Sequence, residues 1–335
     1  MIGVASTDPL GAPARMTPMT AFLTRRVVQM VLSLWAAITL VFVAVTQLPG
    51  DPVRALFGFR PPPPEIYQAI RRHFHLDQPL PKQYALYMRD FVTGNWGRGF
   101  PVNPFGRADS GPVVADVVSA SVPVSAVILI GALLVQTLIG VVAGALAAGG
   151  RRLGIGVYAV SMLLVATPVV VAAYGLRAVF AYRLGWFPLA GGSGEPVTYV
   201  LPILALAALS TGYVALLTRS ELRETLHAPF VKAARGRGLS SRRVVGVHAL
   251  RPALTPVITF VAANVGTLFV GLLVVEGIFR MPGLGGALFA SIRNRDRALL
   301  VGLVTVVMVA VIIANAIADV VAAALDPRVR PKRAD

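Results

Sequence analysis

The sequence has 335 residues, of which 56% are hydrophobic and only 14% are charged. Because a soluble domain contains roughly 25% charged residues, this composition excludes an ordinary soluble protein and predicts a polytopic membrane protein. The formal net charge is +16, but the cations lie mainly at the ends of apolar runs, which favours a role in membrane orientation over nucleic-acid binding.

The chain begins with a polar extension and an apolar run. Residues 1–20 are rich in Pro, Thr and Ala without helical periodicity and are predicted to be disordered, so Met16 or Met19 is a candidate true start. The apolar run over 27–48 exceeds the roughly 7–15 residues of a signal-peptide core, and no small-residue cleavage site follows it. At about 1.5 Å per residue it crosses a hydrocarbon layer of ~30 Å. We therefore predict a retained membrane helix over 21–48.

Residues 49–121 are too polar to span a membrane. They contain the turn sequences LPGDP, PPPP and DSGP and the amphipathic stretch PEIYQAIRRHFHL, and they predict a small, mostly helical external subdomain. His73 and His75 raise the possibility of a metal such as nickel. Residues i and i+2 of a helix point apart, however, and no third ligand is close in sequence. Ordinary surface histidines are the favoured interpretation, and no metal site is predicted.

Five further apolar runs predict a membrane core over 122–325. With the first helix they give an all-α fold with six membrane helices, both ends on one side, and a basic tail over 326–335. The sequence GVVAG at 140–144 has the GxxxG spacing that permits close helix approach. The runs lie at about 122–148, 157–182, 199–218, 256–275 and 299–325.

Basic residues orient this arrangement. Of the 31 lysines and arginines, 17 fall on one side, which is predicted to be cytoplasmic together with both termini. The loop SIRNRDRALL places Arg293, Arg295 and Arg297 on the other side, and charge bias does not account for them. Arg293, Arg295 and Asp296 are therefore candidates for contact with another protein.

Polar side chains within the predicted spans are few: Arg177, Asn264, Glu276, Asn315 and Asp319. Such groups usually face a bundle interior or an aqueous path, so all five are candidate pathway residues. Arg177 lies near a helix end, where snorkelling to the surface competes with a role in attracting a substrate carboxylate. Asn315 and Asp319 are four residues apart on one helical face, which favours an interhelical hydrogen-bond pair over a substrate site.

Sequence signatures of catalysis are absent from the chain. It has no G-x-x-x-x-G-K-[ST] nucleotide loop, no serine elbow and no H-E-x-x-H, and its lack of cysteine excludes thiol chemistry. We predict a protein that is not an enzyme and binds no cofactor. If it drives transport, the energy comes from an ion gradient or from separate ATPase subunits.

The cytoplasmic segment 219–255 contains a predicted short helix. The fourth membrane helix continues into it until Pro229, whose ring interrupts a helix. A short helix over about 230–235 follows, and Gly236 and Gly238 end it. Ser240 or Ser241 is then a candidate cap for the next helix.

This short helix has the character of a contact surface. Ala233 and Ala234 offer a surface with little side chain, which permits close approach by a groove of another protein. The cations around them suit an acidic rim on that partner, because five lie within FVKAARGRGLSSRRVV and no acid does.

The segment FVKAARGRGLSSRRVVGVHALRPALTP resembles the cytoplasmic loop of ABC-importer permeases, whose pattern is E-A-A-x-x-x-G. Lys232, Ala233 and Ala234 take the E-A-A place, and Gly238 takes the glycine. Lys232 departs from the general pattern, but a basic residue there is typical of the dipeptide/oligopeptide branch. Five other segments, between residues 22 and 333, are similar to that branch in the same order: RRVVQMVLSLWAAITLVFVAVTQLPGDP, HLDQPLPKQYALYMRDFVTGNWGRGF, RLGWFPLAGG, VVEGIFRMPGLGGALFASIRNRD and ALDPRVRP.

The resemblance implies one half of a permease heterodimer of the type I ABC importer fold in a bacterial plasma (inner) membrane. It implies a second homologous permease, two cytosolic ATPases that bind ATP and Mg, and an external binding protein. Substrates of the branch include dipeptides, oligopeptides, nickel chelates, glutathione and haem. A self-contained carrier or channel is the less favoured alternative, because the chain shows no internal inverted repeat. The residues implied to contact an ATPase are Phe230, Lys232, Ala233, Ala234, Arg235, Gly238 and Leu239.

Overall fold

The computed structural model describes residues 18–47, 50–57, 62–101, 110–191 and 194–325. These residues form α-helices, two π-helical segments and one isolated antiparallel bridge, which confirms the all-α prediction. The predicted tail and residues 1–17 of the predicted extension lie outside this description. The helices are α1 Pro18–Thr46, α2 Pro52–Leu56, α3 Pro64–His73, α4 Leu80–Val92, α5 Val114–Gly149, α6 Arg151–Ala166, α7 Val169–Leu176, α8 Val197–His227, α9 Pro229–Gly236, α10 Ser241–Arg243, α11 Leu250–Ala263, α12 Val265–Phe279, α13 Leu284–Arg293 and α14 Arg297–Leu325, and the π-helical segments are Arg177–Arg183 and Val244–Ala249.

The third predicted span, 157–182, is not one straight helix. The structure divides it into two helices, α6 and α7 with its π-helical extension. The axis of the second helix differs from that of α6 by 103°. The break falls at Thr167 and Pro168, which both have extended backbone. A residue that precedes proline is disfavoured in the α conformation, and proline removes a backbone donor, so the helix ends there.

The fifth predicted span, 256–275, crosses the junction of α11 and α12 at Asn264. The helical hydrogen bonds continue across this residue, because its amide donates to Phe260 O (3.0 Å) and its carbonyl accepts from Leu268 N (3.0 Å). When α11 with α12 and α6 with α7 each count as one crossing, the described residues contain the six predicted membrane segments. α13 then follows α12 at an angle of 62°.

The two longest core helices, α5 and α8, pack tightly against each other through glycines. A Cβ atom added at Gly140 would lie 2.6 Å from Val214 Cβ, and one added at Gly144 would lie 2.5 Å from Ala215 O. Only glycine permits this separation, so the close approach predicted from GVVAG is confirmed. α5 has 36 residues, or about 54 Å of helix, and it starts at Val114, inside the segment predicted to be external.

Helices α2, α3 and α4 occupy the predicted external segment. Val53, Phe57, Ile70 and Phe100 form a buried cluster there, and Ala298 of α14 packs against it. α4 packs against the first membrane helix, since the hydroxyls of Tyr84 and Thr39 are 2.7 Å apart. The segment is thereby joined to α1 and to α14.

Asp51 of the LPGDP turn caps α2. Its carboxylate accepts hydrogen bonds from Val53 N (2.9 Å), Arg54 N (3.2 Å) and the hydroxyl of Tyr67. Burial acts to raise the pKa of Asp51, but these hydrogen bonds and the nearby Arg54 charge outweigh it and lower the pKa. The ionised carboxylate therefore holds the turn after α1 against α3.

Candidate coupling segment and the polar groups of the membrane helices

The segment that follows α8 folds into the predicted short helix. α8 continues beyond its apolar part to His227, Ala228 is extended, and Pro229 is the first residue of α9. Proline suits this position, because the first amide of a helix has no intrahelical partner and the ring sets the required φ. The predicted helix over about 230–235 is thus confirmed, one residue longer at each end.

Gly238 ends α9. Its φ is +78°, its amide donates to Arg235 O (2.9 Å), and the next amide, of Leu239, donates to Ala234 O (3.4 Å). This pair of bonds around a left-handed residue is the Schellman termination, in which the side chain after the glycine packs on the last helical turn. Gly236 remains within α9 without a positive φ, so the left-handed stop belongs to Gly238 alone.

The two faces of α9 differ sharply. Val231 (0% exposed) and Ala234 (8%) are buried with Leu222, Val244, Ala249 and Ala253, a group that we call the α9 cluster. The expectation that both alanines form the free surface is therefore wrong for Ala234, which is buried against its own chain. The outward face carries Phe230 (52% exposed), Lys232, Ala233 and Arg235.

The helix after α9 starts at Ser241 with Ser240 at its N-cap, but the Ser240 side chain makes no capping hydrogen bond. It passes into the π-helical segment Val244–Ala249 and then into α11. Pro252 lies just beyond the π segment and cannot donate an amide hydrogen bond to the preceding turn. π segments of this kind are often found at functional sites.

A basic surface surrounds the exposed face of α9. It lies beside the exposed hydrophobic ring of Phe230, and no acidic side chain occurs between residues 230 and 245. Among the described residues none of its five cations takes part in an ion pair, so the whole charge faces outward. The five are Lys232, Arg235, Arg237, Arg242 and Arg243.

Arg177 joins three parts of the structure. Its Nε donates to Leu189 O (3.0 Å) and its NH1 group donates to Ile278 O (2.7 Å), near the carboxyl end of α12. A cation is favourable at that end of a helix, where carbonyl groups are unpaired. The guanidinium is thus engaged with the protein backbone and does not simply extend to the membrane surface.

Glu276 caps a helix inside the protein. It is 0% exposed, and its carboxylate accepts a hydrogen bond from Gly285 N (2.6 Å) in the first turn of α13. α13 lies so close that a Cβ added at Gly285 would be 2.3 Å from Leu273 O. The sequence EGIFRMPGLGG is therefore a helix-turn-helix unit closed by its own glutamate, and the geometry gives Glu276 a structural position.

The remaining polar candidates do not gather at one site. Asn264 donates to Ser210 Oγ (2.9 Å), which fixes the α11–α12 junction to α8. Asn315 faces the backbone of α12, because a Cβ added at Gly266 would lie 2.3 Å from its Oδ1. The side chain of Asp319 lies outside the described residues. The structure thus does not test the predicted pair of Asn315 and Asp319.

Asp296 is buried, in contrast to the predicted docking role. It is 8% exposed, and its Oδ1 accepts hydrogen bonds from Leu299 N (2.9 Å), in the first turn of α14, and from Phe100 N (3.0 Å) of the external segment. Burial raises the pKa of Asp296 above its ordinary value. Arg293 and Arg295 are exposed and remain available for a contact.

In the described parts of the chain, three other helices end with the same left-handed geometry as α9, and no motif in the sequence predicted these ends. His75 (φ 54°), Arg280 (φ 52°) and Arg295 (φ 56°) are the left-handed residues of α3, α12 and α13. In each case the following amide donates five residues back, as in Met281 N to Glu276 O (2.9 Å). His75 is therefore a helix stop, whereas His73 is the last residue of α3.

Two family models together match nearly the whole chain. The model described as the inner membrane component of binding-protein-dependent transport systems matches residues 136–331, and the model of the N-terminal part of such a membrane component matches residues 19–122. The chain belongs to this permease family. The coupling segment, α12, α13 and α14 all fall within the first match.

Named relatives match the chain over 93–94% of its length. The permease is 33% identical to the oligopeptide transport system permease protein OppB of Haemophilus influenzae and 34% identical to OppB of Salmonella typhimurium. Each alignment covers 93% of this chain and 100% of the relative. It is 30% identical to the di/tripeptide transport system permease protein DppB of Pseudomonas aeruginosa, over 94% of this chain and 100% of the relative.

Family and fold together define the protein as a membrane permease subunit of an ABC importer. It is a multi-pass protein of the bacterial inner membrane. The family comprises membrane components of transport systems. A self-contained carrier or channel is not favoured by these findings.

Proposed function

We propose that this permease forms half of the pathway of a peptide importer and is driven by two cytosolic ATPases that bind ATP and Mg. A second, homologous permease forms the other half, and an external binding protein delivers the substrate. The names of the relatives in three genera support dipeptides or oligopeptides as the substrate class. The observation that carries the coupling proposal is the two-faced geometry of α9.

α9 is suited to transmit movement because it is held rigidly on one side. Full burial of a Val side chain such as Val231 contributes about 1.5–3 kcal/mol to stability. The Schellman motif at Gly238 fixes the carboxyl end of α9. The exposed Phe230 ring and the small Ala233 then face outward among unpaired cations. This surface fits a groove with an apolar floor and an acidic rim, which is the partner surface that we assign to each ATPase.

Substitution of the two alanines separates docking from coupling. Ala233→Leu adds bulk to the exposed face and should leave thermal stability unchanged while abolishing ATP-dependent uptake by membrane vesicles. Ala234→Leu adds bulk to the α9 cluster, where overpacking costs about 1–3 kcal/mol, and should reduce both uptake and local stability. Ala233→Ser is the matched control, because it keeps the small surface.

Wild-type uptake by the Ala233→Leu variant would exclude the outward face of α9 from the ATPase contact. Loss of stability in that variant, equal to the loss in Ala234→Leu, would show that the two faces are not distinct. Either result would remove the basis for the coupling proposal.

The orientation can be tested with single cysteines, since the chain contains none. We propose that α9 is cytoplasmic and that Arg293 and Arg295 lie outside and face the binding protein. A membrane-impermeant maleimide applied to spheroplasts should label Arg295→Cys but label Arg243→Cys only after lysis. The opposite pattern would invert the proposed topology.

The substrate class is tested by uptake of labelled dipeptide, tripeptide and hexapeptide in cells that lack other peptide importers. Saturable, ATP-dependent accumulation of at least one of the three supports the proposal. Uptake of nickel, haem or glutathione in the absence of peptide uptake would assign the permease to a different substrate.

A further inference from the structure

Arg219 lies where the apolar part of α8 ends and the segment toward α9 begins. Its guanidinium is 5.6 Å from the ring centre of Tyr158 on α6, a cation–π contact. A Cβ added at Gly154, in the first turn of α6, would lie 3.7 Å from its NH2 group. The cation therefore occupies a cleft between α8 and the amino end of α6.

No described residue neutralises the charge of Arg219. Among the described residues Arg219 has no ion pair, and its Nε is buried without a hydrogen-bond partner. The nearest helix end adds positive potential, because α6 begins there without a side-chain cap and its first amides are unpaired. The terminal guanidinium nitrogens also have no hydrogen-bond partner among the described residues, and unlike Nε they are not enclosed, so they are the groups that an anion can reach.

The surroundings of the cleft identify where that anion comes from. Tyr158 is 46% exposed, and Ile155 (61%), three residues earlier on α6, presents an apolar side chain on the same face of the helix. Arg219 directly follows the apolar run over 199–218, which places it at the depth of lipid headgroups. Tyrosine and arginine are typical of that interface.

We propose that the cleft formed by Arg219, Tyr158 and the first turn of α6 binds the phosphate of an anionic phospholipid. The guanidinium and the free amides of α6 contact the phosphate, and the acyl chains lie along the exposed side chains of α6. Basic pockets between membrane helices commonly hold such headgroups. The inference is independent of the substrate and of the ATPase contact proposed above.

Native mass spectrometry of the full-length permease tests this site. Purified protein is stripped of lipid and titrated with phosphatidylglycerol, with phosphatidylcholine and with inorganic phosphate. Arg219→Gln should weaken phosphatidylglycerol binding about five- to tenfold, whereas Arg219→Lys should retain part of it. Arg223→Gln is the matched control, because it removes an exposed cation one turn further along α8 and should bind like the wild type.

Equal weakening in Arg219→Gln and Arg223→Gln would reduce the effect to general surface charge and overturn the proposal. Displacement of phosphatidylglycerol by inorganic phosphate at the same concentration would assign the cleft to free phosphate instead. If Arg219→Gln fails to fold, Tyr158→Phe and Tyr158→Leu replace it. The proposal requires weaker binding only in the leucine variant, and equal binding by both would refute it.

Discussion

Replacement of Gly238 by alanine tests the conclusion that this residue alone ends α9. A Cβ added at Gly238 meets no atom within 4 Å, so the substitution adds no steric clash. Its cost arises from φ +78°, a left-handed conformation that costs an L-residue about 1–2 kcal/mol. That energy shifts the equilibrium between docked and frayed α9 by a factor of about 5–30.

Gly236→Ala is the matched control. Gly236 is also exposed and also has open space around a Cβ, but it lies in the helix without a positive φ. Alanine at a helical position stabilises by about 0.5–1 kcal/mol relative to glycine. The two variants therefore add the same methyl group two residues apart and should act in opposite directions.

Hydrogen exchange of peptides that cover 228–240 measures this local equilibrium. Gly238→Ala should exchange about 5–30 times faster than the wild type, and Gly236→Ala should exchange at the wild-type rate or more slowly. Gly238→Asn should fall between them, because asparagine tolerates the left-handed region. Unchanged exchange in Gly238→Ala, or equal acceleration in both alanine variants, would refute the assigned termination.

Three further predictions concern the membrane core and the outer loops. Gly144→Ala should lower the free energy of unfolding by about 1–3 kcal/mol in a denaturant titration, because its Cβ would lie 2.5 Å from Ala215 O. Gly156→Ala is the control and should not lower it, because a Cβ there meets no atom within 4 Å. Equal effects of the two substitutions would contradict the close packing of α5 and α8. Arg177→Ala should reduce uptake and ATPase activity in parallel and destabilise the permease by about 2 kcal/mol, since two carbonyls lose a charged donor. A loss of uptake without a loss of ATPase activity would instead indicate that Arg177 contacts the substrate. Because the pKa of Asp296 is raised in the folded state, its contribution to the free energy of unfolding is complete below the ordinary value of 3.8 and is lost as the pH rises through the folded-state pKa. Asp296→Asn should therefore remove this loss of stability with rising pH, as measured by thermal unfolding at a series of pH values. An unchanged pH profile of the unfolding temperature would refute the prediction.

The apolar runs predicted most of the fold because helix length and hydropathy are set by the bilayer itself. The hydrophobic pattern could not predict which prolines would break a helix. Pro123 and Pro202 lie within α5 and α8, yet Pro168 accompanies a 103° bend. Whether a helix accommodates a proline depends in general on the packing around it, which no single apolar run contains.

The contacts of the polar residues within the membrane helices were harder to predict from the sequence than the structure of the coupling segment. Glu276 accepts a hydrogen bond from an amide nine residues later, and Arg177 donates to carbonyls 12 and 101 residues away. Such side-chain-to-backbone bonds leave no periodic signal in the sequence. Ala234 was misplaced for a related reason, since only the tertiary contact with Leu222 and Val244 distinguishes it from Ala233.

α5 connects the two aqueous faces of the permease as a single strut. Its first amide, of Val114, donates to Gly97 O in the external segment, and Ala145 and Ala148 near its other end pack against the α9 cluster. At about 54 Å it exceeds the ~30 Å hydrocarbon layer by about 24 Å, which is more than the length of an average helix. A tilt imposed at one end therefore reaches the other face as displacement of one stiff body, without relay through successive side chains. In the proposed assembly, α5 would link the side of the binding protein to the side of the ATPases without passing through the bent third span.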